Sequence, residues 1–116
     1  MKKTLSLLAF LCMLLQFAFS QVKTSTLRIC NNSNKCGSYS GPVVNGKANG
    51  NGTLKYDKGD VYIGEFKNNK LNGTGTITWV NGDIHIGNFV DNSVNGQGTF
   101  TYANGDKMEG IFLMGY

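Results

Sequence analysis

The stretch GTITWVNGDIHIGNF, from Gly75 to Phe89, decides the fold of this chain. Its first five residues alternate polar and apolar side chains, which is the period-two pattern of a β-strand with one buried face. Asn81-Gly82 follows, and Asn-Gly between two alternating runs is the strongest short-range signal for a hairpin turn. Residues 84–89 then provide the return strand. The stretch therefore predicts one antiparallel β-hairpin.

The hairpin pattern recurs with a period of 23 residues. Glycine, aromatic and acidic residues return in the same positions of each unit. These columns are Gly64, Gly87 and Gly110; Tyr56, Trp79 and Tyr102; Phe66, Phe89 and Phe112; and Asp60, Asp83 and Asp106. Each hairpin can bury an apolar face only against its neighbours, and residues 91–96 are expected to form a polar connection between two of them. We therefore predict an all-β fold, an elongated antiparallel meander of stacked β-hairpins.

The geometry of the hairpin loop decides which side chains share a face of the sheet. A two-residue type I′ turn would place Trp79 on the face of Ile84 and Ile86. A three-residue loop with a bulged glycine would shift the return strand by one residue. We favour the bulged loop, because it collects the aromatic columns on one face, where the glycine column would leave room for a neighbouring ring. The residues of that face are then Leu54, Tyr56, Tyr62, Gly64, Phe66, Ile77, Trp79, His85, Gly87 and Phe89.

The repeated motif resembles that of a known family. Gly50-x-Gly52-Thr53, followed by Tyr62-x-Gly64-Glu65-Phe66, is similar to the MORN repeat (membrane occupation and recognition nexus), whose units read close to Y-E-G-E-W-x-N-G-x-x-x-G-x-G. Phenylalanine stands here where the family has tryptophan, and the two later units keep less of the motif. The resemblance covers about Tyr39 to Tyr116. It implies a scaffold or attachment module and no particular activity.

The first twenty residues have the organisation of a secretory signal peptide. A basic start with Lys2 and Lys3 precedes a mostly apolar run over residues 4–19, which ends in the A-x-A-like site Ala18-Phe19-Ser20. An uncleaved membrane anchor is the alternative, but a membrane span needs about 20 apolar residues and this run is shorter. We therefore predict cleavage of residues 1–20 and export of the mature chain to the periplasm, the cell surface or the extracellular space.

Cleavage would leave an N-terminal segment at residues 21–38 ahead of the repeats at residues 39–116. The segment holds Cys30 and Cys36, and an even pair of cysteines in an exported protein indicates a disulfide. A zinc site is disfavoured, because two thiols without a nearby histidine do not complete four-coordination. The spacing also differs from the C-x-x-C of redox-active pairs. We expect a structural disulfide.

The chain carries no recognisable catalytic or cofactor-binding motif. His85 is the only histidine, and it occupies the column of Tyr62, where a ring is expected to pack. The net charge of +4 falls to +2 once Lys2 and Lys3 are removed, which gives no reason to expect a nucleic-acid partner. We predict a protein that is not an enzyme, has no catalytic, cofactor-binding or metal-binding residues, and does not bind nucleic acid.

The aromatic columns allow two interpretations. We favour a packed core, because each hairpin of a repeat array needs apolar contacts with its neighbours. The alternative is a groove that binds an extended peptide, a glycan or a lipid. The expected function is accordingly a structural or protein-interaction module with an unidentified protein partner, and a glycan- or lipid-binding surface is the alternative. The environment of Trp79 separates the two, because a core shields the indole ring and a groove exposes it.

Overall fold

The computed structural model of the chain describes residues 22–114, and the predicted signal peptide at residues 1–20 lies outside them. The described residues form one antiparallel sheet of nine strands. In chain order these are β1 (Val22–Cys30), β2 (Cys36–Val44), β3 (Lys47–Ala48), β4 (Gly50–Tyr56), β5 (Val61–Lys67), β6 (Lys70–Thr78), β7 (Ile84–Val90), β8 (Ser93–Thr101) and β9 (Lys107–Met114). The predicted all-β architecture is confirmed. Between residues 22 and 114 there is no helix long and apolar enough to cross a membrane.

The strands follow one another across the sheet in chain order. Each strand pairs with its neighbours in sequence, except that the short β3 lies beside β2 and off the main path. Among the described strands, β1 and β9 are therefore the two edges. The fold extends over 70 × 27 × 22 Å, as expected of a meander that grows by one hairpin per repeat. The predicted elongated meander is confirmed.

Three-residue loops with a bulged glycine close the hairpins β4–β5, β6–β7 and β8–β9. In the first loop, Tyr56 N–H donates to the carbonyl of Asp60 (2.8 Å), and Gly59 N–H donates to the carbonyl of Tyr56 (2.9 Å). The same two bonds close the other loops. The bulged residue has a positive φ in each case, at Gly59 (109°), Gly82 (95°) and Gly105 (97°). Glycine adopts this conformation without steric cost, and the bulged register is confirmed.

The connections between hairpins are shorter than the sequence pattern predicts. Asn68 and Asn69 have φ values of 49° and 69°, and Asp91 and Asn92 have values of 45° and 70°. Two successive positive φ values are characteristic of the two-residue type I′ turn. Asn and Asp tolerate this conformation better than other non-glycine residues, so two residues are enough to reverse the chain. β8 consequently begins at Ser93, and the predicted polar connection over residues 91–96 is wrong beyond Asn92.

The core lies on one face of the sheet, and the aromatic residues of the repeats form its centre. Tyr39, Tyr62 and Phe89 are fully buried. Phe66 packs edge-on against Tyr39 and Tyr62, with ring centroids 4.8 and 5.1 Å apart. Tyr62 makes the same contact with Phe89 at 5.1 Å. Aliphatic side chains fill the space around these rings; they are Ile29, Ala48, Leu54, Leu71, Ile77 and Val94.

Candidate interaction surface

Tyrosine rings lie directly on glycine backbone in the buried face. Tyr62 covers Gly75 and Tyr39 covers Gly52, so closely that a Cβ at either glycine would collide with the ring. The Tyr62 hydroxyl donates to the carbonyl of Glu65 (2.9 Å), and Tyr39 makes the equivalent bond at 2.6 Å. Burial, with a smaller effect from the Glu65 carboxylate, raises the pKa of Tyr62 above its ordinary value. Both tyrosines therefore act as neutral packing groups.

The column of Gly64, Gly87 and Gly110 has a different role. A Cβ at Gly64 would collide with the backbone of Gly75 on the next strand, and a Cβ at Gly87 would lie 2.7 Å from the Cα of Gly98. The room that these glycines provide is thus filled chiefly by neighbouring backbone. At Gly110 none of the described residues other than its chain neighbours comes within 4 Å of the corresponding position.

His85 takes the position of the two tyrosines in the next unit. Its side chain is fully buried, with the ring centroid 5.9 Å from that of Phe89 and 4.9 Å from that of Phe112. Neither Nδ1 nor Nε2 has a hydrogen-bond partner among the residues that the structure describes. Burial lowers the pKa of His85, because the charged imidazolium loses its solvation. The ring is placed to pack, and its nitrogens do not face solvent.

The column of Tyr56, Trp79 and Tyr102 changes from buried to exposed along the sheet. Tyr56 is buried, and that burial, together with Asp60, raises the pKa of its phenol to about 12. Trp79 is half-buried against Phe100, at a centroid distance of 5.4 Å. Tyr102 is 40% exposed and lies 4.9 Å from Phe100. Trp79 is therefore less shielded than the core interpretation predicts, since only one further hairpin, β8–β9, follows its own hairpin in the described sheet.

The phenylalanine column opens at the same end. Phe66 and Phe89 are buried, and the next strand covers each of them with a buried aliphatic residue, Leu71 or Val94. Phe112 on β9 is only half-buried. Among the described strands β9 has a single neighbour, β8. Three other apolar side chains of β9 are exposed as well; they are Met108, Ile111 and Leu113.

Three consecutive segments of the chain match the family model of the MORN repeat, at residues 39–61, 62–84 and 85–107. The chain belongs to the MORN repeat family. No curated protein is similar enough in sequence to match it. Each matched segment begins at a buried ring, so one MORN repeat runs from the ring of one hairpin to the residue before the next ring; these rings are Tyr39, Tyr62 and His85.

Side-chain hydrogen bonds connect neighbouring MORN repeats at both ends of the strands. At the hairpin loops, Asp60 Oδ1 accepts from Val80 N–H (3.0 Å) and Asp83 Oδ1 accepts from Ala103 N–H (2.9 Å). Matching bonds at the opposite ends run from Leu71 N–H to Asn92 (2.9 Å) and from Ala48 N–H to Asn69 (2.8 Å). Sequence reasoning missed these contacts, because a single unit does not reveal which loops lie side by side.

The hairpin β1–β2 joins the N-terminal side of the MORN array. A disulfide connects Cys30 to Cys36, with an Sγ–Sγ distance of 2.05 Å. Arg28 forms a forked ion pair with the carboxylate of Asp57, and the hydrogen bonds from Arg28 lower the pKa of Asp57. Both side chains are exposed, so solvent screens this pair and it contributes little to stability. Strand pairing and the buried Ile29 therefore hold the hairpin in place.

Proposed function

We propose that this protein is an exported, non-catalytic MORN-repeat module that acts by binding another protein. The family assignment supports the general role, because MORN repeats are repeat modules that often take part in protein or membrane interaction. The signal-peptide pattern at residues 1–20 supports export. The 70 Å length of the fold suits a scaffold that holds a partner away from its own point of attachment.

The contrast between the interior hairpins and β9, the edge strand that follows them, carries the proposal. In hairpins β4–β5 and β6–β7 the phenylalanine column is buried in the core. On β9, Ile111 and Leu113 are 76% and 79% exposed, and the half-buried Phe112 stands between them in sequence. Apolar side chains exposed together on an edge strand are characteristic of an interaction site. This favours a protein partner over a ligand held on the buried ladder.

The placement of the polar groups supports a non-catalytic role. A general acid or base must come within hydrogen-bond reach of the proton that it transfers, and the His85 nitrogens are buried. Asp60 and Asp83 are engaged with backbone N–H groups of the next loop. Within residues 22–114, no group of three or more His, Cys, Asp or Glu side chains could hold a metal ion.

A glycan- or lipid-binding surface is the second candidate, and one cluster of rings favours it. Trp79, Phe100 and Tyr102 form a continuous aromatic group with centroid distances of 5.4 and 4.9 Å. Tyr102 is 40% exposed. Exposed Tyr and Trp rings combine an apolar body with a polar tip, which suits a sugar face or a membrane interface.

Affinity capture from the exported fraction of the source cells tests the proposal. The bait is the mature chain, and two matched baits carry Ile111→Glu on β9 or Ile63→Glu on the interior strand β5. We expect the unmodified and Ile63→Glu baits to retain the same protein at a fixed molar ratio, and the Ile111→Glu bait to lose it. A glycan or lipid that binds the chain, is lost on Tyr102→Ala and is accompanied by no captured protein contradicts the proposal.

The intact mass of the exported chain tests the export itself. We expect a mature chain that begins at Gln21, with or without cyclisation of this residue to pyroglutamate. A mass that still includes residues 1–20 contradicts export by cleavage of a signal peptide.

A further inference from the structure

Gly110 is the counterpart on β9 of Gly64 and Gly87, and each of those two glycines faces a following strand. In the register of the sheet, Gly64 lies opposite Gly75 and Gly87 lies opposite Gly98. At Gly64 and Gly87 a Cβ would meet the backbone of that next strand, whereas at Gly110 no atom of residues 22–114, its chain neighbours apart, lies within 4 Å of the corresponding position. The glycine that permits close approach of a strand is therefore present on β9, and the outer side of β9 has the room for one.

The backbone of β9 offers a regular row of hydrogen-bonding groups on that side. Tyr102 N–H donates to the Asp106 carbonyl in the β8–β9 loop. Along an antiparallel ladder, hydrogen-bonded and non-hydrogen-bonded residue pairs alternate, and Tyr102 and Asp106 form a hydrogen-bonded pair. Residues 108, 110 and 112 therefore direct their N–H and C=O groups towards β8. The intervening residues direct theirs outward; they are Lys107, Glu109, Ile111 and Leu113.

The side chains of the two edge strands differ. The described part of β1 has Thr24, Ser25 and Thr26 on its exposed stretch. On β9, Met108, Ile111 and Leu113 are 47%, 76% and 79% exposed. Polar side chains discourage the addition of another strand to an edge, whereas exposed apolar side chains favour it. The strand-accepting edge of the described sheet is therefore β9.

We propose that β9 pairs antiparallel with β9 of a second copy of this chain, with Gly110 opposite Gly110 of the copy. The inference rests on the proposed function and names the partner of the same surface. In this register Met108 lies opposite Phe112, Glu109 lies opposite Ile111, and the two strands exchange about eight backbone hydrogen bonds.

A second copy fits this edge because β9 is complementary to itself. The backbone groups of Gly110 point towards β8, so the hydrogen bonds between the two copies come from the residues on either side of it. Gly110 therefore lies at a non-hydrogen-bonded position of the interface, where facing Cα atoms are only about 4.5 Å apart. Glycine opposite glycine is the combination that the chain already uses at its other close approaches, Gly64–Gly75 and Gly87–Gly98.

The same twofold symmetry completes the open core. Each copy brings a Met108 to the half-buried Phe112 of the other, as Leu71 and Val94 cover the earlier phenylalanines. No like charges face each other directly in this register, because Glu109 meets Ile111 and Lys107 meets Leu113. A twofold interface of this kind closes after two copies and leaves no further edge of the same type.

Charge substitutions at Ile111 test the register. Ile111→Glu places carboxylates opposite Glu109 at two symmetry-related points, and we expect the dimer dissociation constant to rise at least about tenfold. Ile111→Lys places an ammonium group opposite the same carboxylate, and the dissociation constant should stay within about threefold of the unmodified chain. Sedimentation equilibrium of the mature chain measures both.

Ile63→Glu and Ile63→Lys are matched controls, because Ile63 is 58% exposed but lies on the interior strand β5. Neither should change the dissociation constant. Amide exchange at Glu109 and Ile111 gives an independent readout in the unmodified protein, and it should slow as the protein concentration rises.

Two results overturn the inference: a chain that stays monomeric into the high micromolar range, or a dimer that Ile111→Glu and Ile111→Lys weaken equally. A monomer that still captures a different protein through Ile111 leaves the proposed function standing. A monomer that captures no protein contradicts both.

Discussion

Three rings in this sheet lie on glycine backbone in equivalent positions, but only two of them satisfy their polar atoms. Tyr39 and Tyr62 donate their hydroxyl protons to backbone carbonyls, whereas both ring nitrogens of His85 lack a partner. A polar group buried without a hydrogen bond costs about 1–3 kcal/mol in proteins. At the scale of the residue, His85 is therefore the position at which the core is most sensitive to protonation.

We expect the free energy of unfolding to fall as the pH drops below about 6.5. An unfolded histidine titrates near pH 6.5, and burial lowers the pKa of His85 in the folded state. The unfolded chain then binds the proton first, so the stability present above pH 6.5 is lost as the pH falls towards the folded-state pKa. Urea denaturation of the mature chain at pH 7.5, 6.0 and 5.0 measures this.

His85→Phe is the matched control, because it keeps a ring in the same position and removes the titrating group. Its stability should change little between pH 7.5 and 5.0. Equal stability of the unmodified chain at these two pH values would contradict the prediction.

The sequence predicted which rings face the core, because the 23-residue period and the bulged loop together determine the face of every column. It did not predict the half-exposure of Trp79 or the empty space beside Gly110. A column gives the residue type at each position. The burial of that residue depends on how many strands follow it in the described sheet, and the motif is similar in the units before β9 and in the unit that contains β9.

At the scale of the element, backbone hydrogen bonds within each loop close a hairpin, and side-chain hydrogen bonds to the next loop align it with its neighbour. The loop after Trp79 contains both Gly82, which sets the bulge, and Asp83, whose Oδ1 accepts from Ala103 N–H of the next loop. The type I′ connections at Asn68-Asn69 and Asp91-Asn92 are equally local, yet the polar composition of residues 91–96 predicts a longer connection at the second of them. Asparagine and aspartate in succession support both a loose polar loop and a tight left-handed turn, and only strand pairing decides between them.

We expect Asp83→Ala to lower the free energy of unfolding by about 0.5–1.5 kcal/mol, which is the usual net contribution of one hydrogen bond. The reason is the loss of the bond from Ala103 N–H across two hairpins. Asp106→Ala is the control, because Asp106 receives the same amide bond from its own loop, from Asn104, but no loop follows it in the described sheet. Urea denaturation should show a clearly smaller effect for Asp106→Ala, and equal effects would contradict the role of Asp83 between hairpins.

At the scale of the whole molecule, stability is a sum of contacts between adjacent hairpins, since strand pairing, ring contacts and loop hydrogen bonds link each hairpin to the next one along the sheet. The disulfide between Cys30 and Cys36 lies in the hairpin β1–β2 at one end of that array. Its loop-closure effect is worth about 2 kcal/mol for so short a loop. In a linear array such an effect is expected to stay near the end where it acts.

We expect the purified mature chain to show no free thiol until it is reduced. The double substitution Cys30→Ser and Cys36→Ser should speed amide exchange in β1 and β2 and leave β6 and β7 protected. Hydrogen exchange measured by mass spectrometry on both forms resolves these regions. Free thiols in protein isolated without reductant, or equal loss of protection in β7, would disagree with this expectation.

The order of the strands has a consequence for how the molecule is made. Every strand after β1 pairs with one synthesised shortly before it, so each hairpin can dock as soon as it leaves the ribosome or a translocation pore, and no segment has to wait for a distant one. β9 is the last of the described strands to emerge. The apolar edge that we assign to self-association is therefore displayed only after the rest of the sheet has formed, which keeps half-made chains from pairing through it.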